Sequence, residues 1–409
     1  MATPLRYPKF RLLLAGRFTS TLGGAVAPVA LAFAVLDLTG SVTDLGLVVG
    51  ARSVANVVFL LFGGVLADRL PRSLILIGSS TLSAISQGAI ATLFLTGHAT
   101  VPVLVLLAAV NGTVSAFTYP ASAAILPQTV PDGERQSANA FSRLVTNGAT
   151  IVGAPLGGIL IAATSPGWGL VVDAASFLVS GVLFALLRVP SVARDGGRDS
   201  ILRDLRTGWT EFSARTWLWA VVLGFMFLNA AVVAAETVLG PGIAKATIGA
   251  GGWGAVLGAQ TFGMVLGALV AMRLRVRRLL RLGVVAVGAL CLLPLALAFA
   301  PNLPALAAAG FLAGICVEQF SVAWETSMQQ EVPPDLLARV YSYDMLGSFV
   351  AIPIGQMAAG PVSRAVGVGP TLVGCAVVVL LATAGMLAVR RVRTLEVAPA
   401  PVAEPVPAT

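Results

Sequence analysis

Twelve apolar runs, each about 21 to 27 residues long and bounded by proline, glycine or charge, follow one another through this chain. An α-helix rising 1.5 Å per residue needs about 20 such residues to cross the roughly 30 Å hydrocarbon core of a bilayer. The runs lie at about 12–37, 44–67, 73–96, 101–126, 138–164 and 168–188, then at about 217–240, 252–273, 280–300, 303–327, 341–363 and 369–390. Composition agrees: 57% of the 409 residues are hydrophobic and 11% are charged, against about 25% charged in a soluble domain. A soluble enzyme, a disordered chain, collagen and a coiled coil are excluded. The expectation is an all-α integral membrane protein.

Net charge is +8, and placing the basic residues explains it without nucleic acid. Twelve spans put both termini on one side. That side receives 21 of the 26 lysines and arginines, in clusters such as Arg6/Lys9/Arg11, Arg273–Arg281 and Arg390/Arg391/Arg393. Lys245 and Arg364 fall on the other face, and Arg17, Arg52 and Arg143 fall within spans. The positive-inside rule then makes both termini and the central loop cytoplasmic. The basic N-terminus with its apolar run is read as the first membrane helix rather than a signal peptide, because the run is long and lacks a small-residue cleavage site. Arginine outnumbers lysine 24 to 2 amid abundant alanine and glycine, the usage of a GC-rich bacterial genome, so the bacterial plasma membrane is expected.

The long loop at 189–216 separates six spans from six. Ile201, Leu202, Leu205, Trp209 and Phe212 recur there at helical spacing, with Arg203, Arg206 and Glu211 opposite. That pattern predicts an amphipathic helix on the inner leaflet. The expected organisation is a six-helix bundle over 1–188, a cytoplasmic linker over 189–216, a second bundle over 217–390 and a proline-rich, disordered cytoplasmic tail over 391–409. A weak internal repeat relates the bundles: Leu45-Gly46-Leu47-Val48-Val49-Gly50-Ala51 opening span 2 aligns with Trp253-Gly254-Ala255-Val256-Leu257-Gly258-Ala259 opening span 8. Parallel repeats of this kind mark transporters built from two pseudo-symmetric halves.

No cofactor or metal site is expected. Cys291, Cys316 and Cys375 sit within apolar runs without CxxC spacing, and the single histidine, His98, has no companions. Zinc binding and Ser/His/Asp catalysis are thereby disfavoured. A primary pump needs a G-x-x-x-x-G-K-[ST] phosphate loop, and neither Lys9 nor Lys245 supplies one. An ion gradient is the expected energy source.

The loop after span 2 reads Gly64-Val65-Leu66-Ala67-Asp68-Arg69-Leu70-Pro71-Arg72-Ser73. Glycine a turn before the acid allows a neighbouring helix to approach, and the carboxylate can accept N–H bonds at that helix's N-terminus. Span 5 carries Gly148, Gly153-Ala154-Pro155 and Gly157-Gly158, small residues that permit close packing and a proline where the helix can bend. Span 11 echoes this as Pro353-Ile354-Gly355. Over residues 10–390 the chain resembles the major facilitator superfamily, and within it the macrolide-efflux and enterobactin-exporter-like branch. The span 2 loop is similar to the family's signature loop, with Pro71 and Ser73 as departures; Gly64, Asp68, Arg69 and Arg72 match. Span 5 resembles the antiporter motif. Supporting features are Asp173-Ala174-Ala175-Ser176-Phe177, Ala138-Asn139 and Arg339-Val340-Tyr341-Ser342. The arginine that many proton-coupled exporters of the family carry within span 4 has no counterpart at 101–126.

The resemblance implies two pseudo-symmetric six-helix bundles around a central cavity, a gate at Gly64, Asp68, Arg69 and Arg72, and a monomer in the lipid bilayer whose partners are a small-molecule substrate and protons. Intramembrane charge costs at least ~2.5 kcal/mol each on insertion scales, so each instance is a candidate for function. Glu318, Glu325, Glu236, Asp37 and Asp173 are the proton-coupling candidates, with Glu318 the best isolated carboxylate. Arg52, Arg17 and Arg143 are the ion-pair candidates, with Arg52 expected beside Asp37 or Asp173. Cavity-lining candidates are Asn111, Tyr119, Asn147, Phe227, Asn229, Gln260, Phe320 and Trp324. A cavity so poor in charge suits a lipophilic or amphiphilic solute: a drug, an antibiotic or a siderophore-like molecule. Proton-coupled efflux is the first reading, ion-coupled uptake through the same fold the second, and a polytopic membrane enzyme a remote third.

Overall fold

The computed structural model describes residues 4–69, 72–187, 201–273 and 276–396; within these, the side chains of 60–69, 72 and 201–207, among others, lie outside the description. All described elements are helices, and twelve of them are long and apolar enough to cross a membrane. Spans 1 to 6 are Pro8–Thr39, Val42–Arg69, Arg72–Leu95, Val101–Ile125, Arg135–Ala163 and Pro166–Leu186. Spans 7 to 10 are Thr216–Thr247, Gly249–Arg273, Leu279–Phe299 and Leu303–Glu331. Span 11 comes in two pieces, Pro334–Phe349 and Ile352–Val366, and span 12 is Val368–Ala388. A separate linker helix, Ile201–Ala214, precedes span 7.

Short turns join the spans at the end of the molecule away from the chain termini, called here the distal end. Four of these turns contain a glycine at positive φ, namely Gly40, Gly97, Gly249 and Gly367. At Gly40 the left-handed residue lets its N–H reach back to the Leu36 carbonyl and close span 1. Proline at the first helical turn starts spans 1, 4, 6 and 10, where the missing N–H costs nothing.

The same pairings recur in both halves. Span 1 packs on 5 and 6 as span 7 packs on 11 and 12; span 2 packs on 4 as span 8 packs on 10; span 3 packs on 4 and 6 as span 9 packs on 10 and 12. Two seams join the halves, span 5 against span 8 and span 2 against span 11, and they are counterparts under the same repeat. Both depend on glycine. A methyl group on Gly254 would come within 2.6 Å of the Ala154 carbonyl oxygen and 3.1 Å of Gly158 Cα, and one on Gly258 within 2.5 Å of Pro155. Gly46 and Gly50, the residues the sequence repeat aligns with these two, meet the Gln356 carbonyl and Met357 of span 11. Both seams lie at the distal end, which is therefore closed.

Departures from regular helix gather in the second half. Span 7 carries a π-helical turn at Ala234–Leu239, span 9 a 3₁₀ segment at Gly288–Cys291, and span 11 a break after Phe349. The linker helix stands on the base of span 11, where Trp209, Phe212 and Tyr343 form a ring cluster with centroids 5.6 to 5.8 Å apart. Part of the segment expected as a disordered tail is instead ordered. Arg390–Thr394 is a helical turn, because Val392 is fully buried and Arg391 pairs with Glu331 at 3.2 Å. Residues 397–409 and 188–200 lie outside the described residues.

Gly254→Ala is expected to lower the melting temperature of the purified protein, at a cost of about 1–3 kcal/mol from overpacking. Gly148→Ala, where a methyl group meets nothing within 4 Å, is expected to leave melting unchanged or raise it. Equal behaviour of the two variants would refute the seam.

Candidate functional site

A cavity of about 650 Å³ lies between the halves, beneath the distal closure. Seven spans contribute to its wall, and most of that wall is apolar. Its charged groups are Arg52 of span 2 and Glu236 of span 7. Glu236 sits within the π-helical turn, which inserts an extra residue and aims the carboxylate at the cavity. Gln260 of span 8 donates to Glu236 Oε2 at 3.4 Å, and Gln356 of span 11 donates to the Thr237 hydroxyl at 3.3 Å. The Gln356 Oε1 atom is buried without a partner. Adjacent donors and acceptors therefore come from spans 7, 8 and 11, and a solute polar at one edge finds partners there.

Arg52 also faces the interior of the first half. Asp173 of span 6 is fully buried and lies within electrostatic reach of Arg52. Gln87 of span 3 donates to Asp173 Oδ2 at 2.5 Å, while Oδ1 has no hydrogen-bond partner. Asp37, the other acid expected beside Arg52, instead meets Lys245 at 2.6 Å across the distal end, and Lys245 also donates to the Leu36 carbonyl at 2.8 Å. This bridge ties span 1 to span 7 outside the cavity. Both of its side chains are near half-exposed, at 51% and 39%, so it contributes at most about 1 kcal/mol.

Arg17 holds spans 1, 4 and 5 together, donating at 2.9 Å to the Ser122 and Ser142 hydroxyls and also to the Ser122 carbonyl. Glu318 is half-buried, with its Cβ against Gly267 of span 8, and lies in the electrostatic field of Arg143 and Glu325. It lines neither cavity described here, whereas Glu236 does. Gly153 and Gly157 pack span 5 onto Ala25 and Val26 of span 1, and Gly158 onto span 8. Of the motif residues Gly64, Asp68, Arg69 and Arg72, and of Tyr119, the structure describes the helical backbone alone.

A second cavity of about 420 Å³ lies toward the opposite, proximal end, among spans 7, 9, 10 and 11. Asn229, Phe320, Trp324 and Glu325 line it. Gln260 lines the first cavity; Asn111 is buried, and Asn147 and Phe227 are exposed. The sequence reading missed Asp344, which lines the second cavity and accepts from Trp324 Nε1 at 2.9 Å. Its signal was present: it stands inside the apolar run starting near 341 and so met the criterion that selected the other acids. Gln87 and Gln356 carried no such signal, because an intramembrane amide is ordinary until its partner is known.

The family model of the Major Facilitator Superfamily matches residues 13–244, more than half of the chain. The multidrug efflux pump Tap of Mycolicibacterium fortuitum is 27% identical over 408 residues, covering 95% of this chain and 98% of that protein. Macrolide efflux protein A of Streptococcus pyogenes is 22% identical over 220 residues, 53% of this chain and 54% of its own length. Among solved structures, the nucleoside transporter NupG matches with a TM-score of 0.76 at 14% identity, covering 93% of this chain and 98% of its own. A bacterial homologue of the human lysosomal transporter Spinster, inward-facing and unoccupied, matches with a TM-score of 0.73 at 17% identity, covering 94% and 98%. At these identities the structures speak to the fold.

Gln87→Leu removes the donor to Asp173 and leaves both carboxylate oxygens unsatisfied, an expected cost of about 1–3 kcal/mol. Lys245→Met cuts the half-exposed distal bridge and is expected to cost no more than about 1 kcal/mol. Thermal melting of the purified variants should rank them in that order; the reverse order would refute a stabilising role for the Gln87–Asp173 contact.

Proposed function

The chain belongs to the major facilitator superfamily and is a multi-pass bacterial inner-membrane transporter of small molecules rather than an enzyme, and we propose that it exports lipophilic or amphiphilic compounds by proton-coupled alternating access. The observation that carries this reading is the central cavity. It is a largely apolar space of about 650 Å³ with one carboxylate, one guanidinium and a few amides and hydroxyls, chemistry suited to a drug-sized amphiphile and poor for a phosphate or a sugar. Similarity over nearly the full length to a multidrug efflux pump supports the same direction of transport.

With both termini cytoplasmic, as the arginine distribution favours, the closed distal end faces outward and the conformation is inward-facing. Substrate enters from the cytoplasm or the inner leaflet, the seams of spans 5/8 and 2/11 part, and the proximal ends close in their place. Glu236 is the coupling carboxylate in this scheme. It stands on the cavity wall between the halves, where a proton and a substrate compete for one group and where each conformation exposes it to a different side. Glu318, near Arg143 of the opposite half, is a second candidate that acts through the contact between the halves. Gly64, Asp68, Arg69 and Arg72 form the cytoplasmic latch implied by their motif, and Arg52 with Asp173 is structural.

Cells expressing the protein should accumulate less of a lipophilic drug than cells without it; higher accumulation would favour uptake. In proteoliposomes with an imposed pH step, Glu236→Gln is expected to abolish proton-driven substrate exchange while the protein still inserts and folds. Glu318→Gln, compared alongside, tests the second candidate. Wild-type exchange by Glu236→Gln would refute the coupling assignment.

A further inference from the structure

The second cavity differs in charge from the first. Its charged lining among the described residues is acidic alone, Glu325 and Asp344 without lysine or arginine, whereas the central cavity offers Arg52 as well as Glu236. Asp344 is positioned by two neutral donors: Trp324 Nε1 at 2.9 Å to Oδ2 and the Ser348 hydroxyl at 3.2 Å to Oδ1. Asn229 fixes the backbone beneath by donating to the Ser348 carbonyl at 2.9 Å. These bonds orient the carboxylate without neutralising it.

Aromatic rings line the same cavity beside the acids. Phe225 and Phe320 stack with centroids 4.2 Å apart, and Phe320 and Trp324 lie nearly parallel at 18° with centroids 5.9 Å apart. Trp217 meets Trp324 edge-on at 5.6 Å. Ring faces attract cations and flat apolar bodies, and carboxylates attract the cation again. An anion would be repelled here, and a neutral solute would gain from the rings only. Phe349 lines both cavities and is the last residue before the break in span 11, so it forms the partition between them.

We propose that this cavity is a binding site for planar organic cations, separate from the central cavity, in which Asp344 supplies the counter-charge and Phe349 is the barrier the cation passes to reach the central cavity. The site rests on the export reading only for the direction of that passage. Size permits it, since about 420 Å³ accommodates a small drug-like molecule.

Ethidium is the probe, titrated into full-length protein in nanodiscs and read by quenching of tryptophan emission and by ethidium anisotropy. Wild-type protein should bind it, with Asp344→Asn weakening binding about tenfold or more, as expected for loss of a charged partner, and Asp344→Glu recovering most of the affinity. Unchanged affinity in Asp344→Asn, or a loss confined to Glu236→Gln, overturns the site. Should Asp344→Asn fail to purify, Phe320→Leu keeps both acids and removes the stacked face; a several-fold weakening supports the site and unchanged affinity overturns it. Wild-type protein that exports a neutral macrolide but does not bind ethidium overturns this inference and leaves the export reading standing. Binding of ethidium by a protein that lowers the accumulation of no compound does the reverse.

Discussion

Close approach at four glycines organises this molecule, onto backbone at Gly46 and Gly254 and onto the side chains of Met357 and Pro155 at Gly50 and Gly258. Gly254 and Gly258 bring span 8 against span 5, and Gly46 and Gly50 bring span 2 against span 11. In a bilayer the lipid tails are as apolar as leucine, so helices gain little from burying apolar side chains against one another. What remains is van der Waals contact, which falls off steeply with distance and rewards helices that can nearly touch. Small residues at two symmetric seams allow this, and the seams hold the distal end shut. The half-exposed Asp37–Lys245 bridge adds a weak tie over the top.

Beneath that closure the chemistry changes with depth. Proximally, an acidic and aromatic cavity lies within the second half. Beyond Phe349 the central cavity belongs to both halves and carries one charge of each sign. The irregular backbone follows the same route: the π-helical turn displays Glu236, and the break in span 11 sets Phe349 between the two spaces. Nonhelical backbone at membrane depth is tolerated where it lines a cavity, and both of these distortions do so.

Much of the architecture was legible because the bilayer imposes it. Twelve runs became twelve helices, and the faint repeat Gly46/Gly50 to Gly254/Gly258 turned out to mark equivalent seams. The span 5 motif was legible as packing, although only the helix arrangement divides it between span 1, at Gly153 and Gly157, and span 8, at Gly158. The site was less so. An acid in an apolar run announces itself, but its partner is a matter of helix rotation: Asp37 meets Lys245 rather than Arg52, and Asp173 takes Gln87. A π-helical turn leaves no mark in composition, so Glu236 could not be ranked above Glu318 by position along the chain. Asp344 carried the same mark as the other acids, standing inside an apolar run, and was nonetheless missed.

The seam between spans 5 and 8 has a kinetic corollary. Glycine and alanine have no rotamers to freeze, so joining these surfaces costs almost no side-chain entropy and parting them returns almost none. Interdigitated leucines would have to withdraw and re-register with each opening. Here two smooth surfaces, Gly254 against Ala154 and Gly158, separate and meet again with nothing to repack. The distal closure can then be tight in space and still quick to reverse.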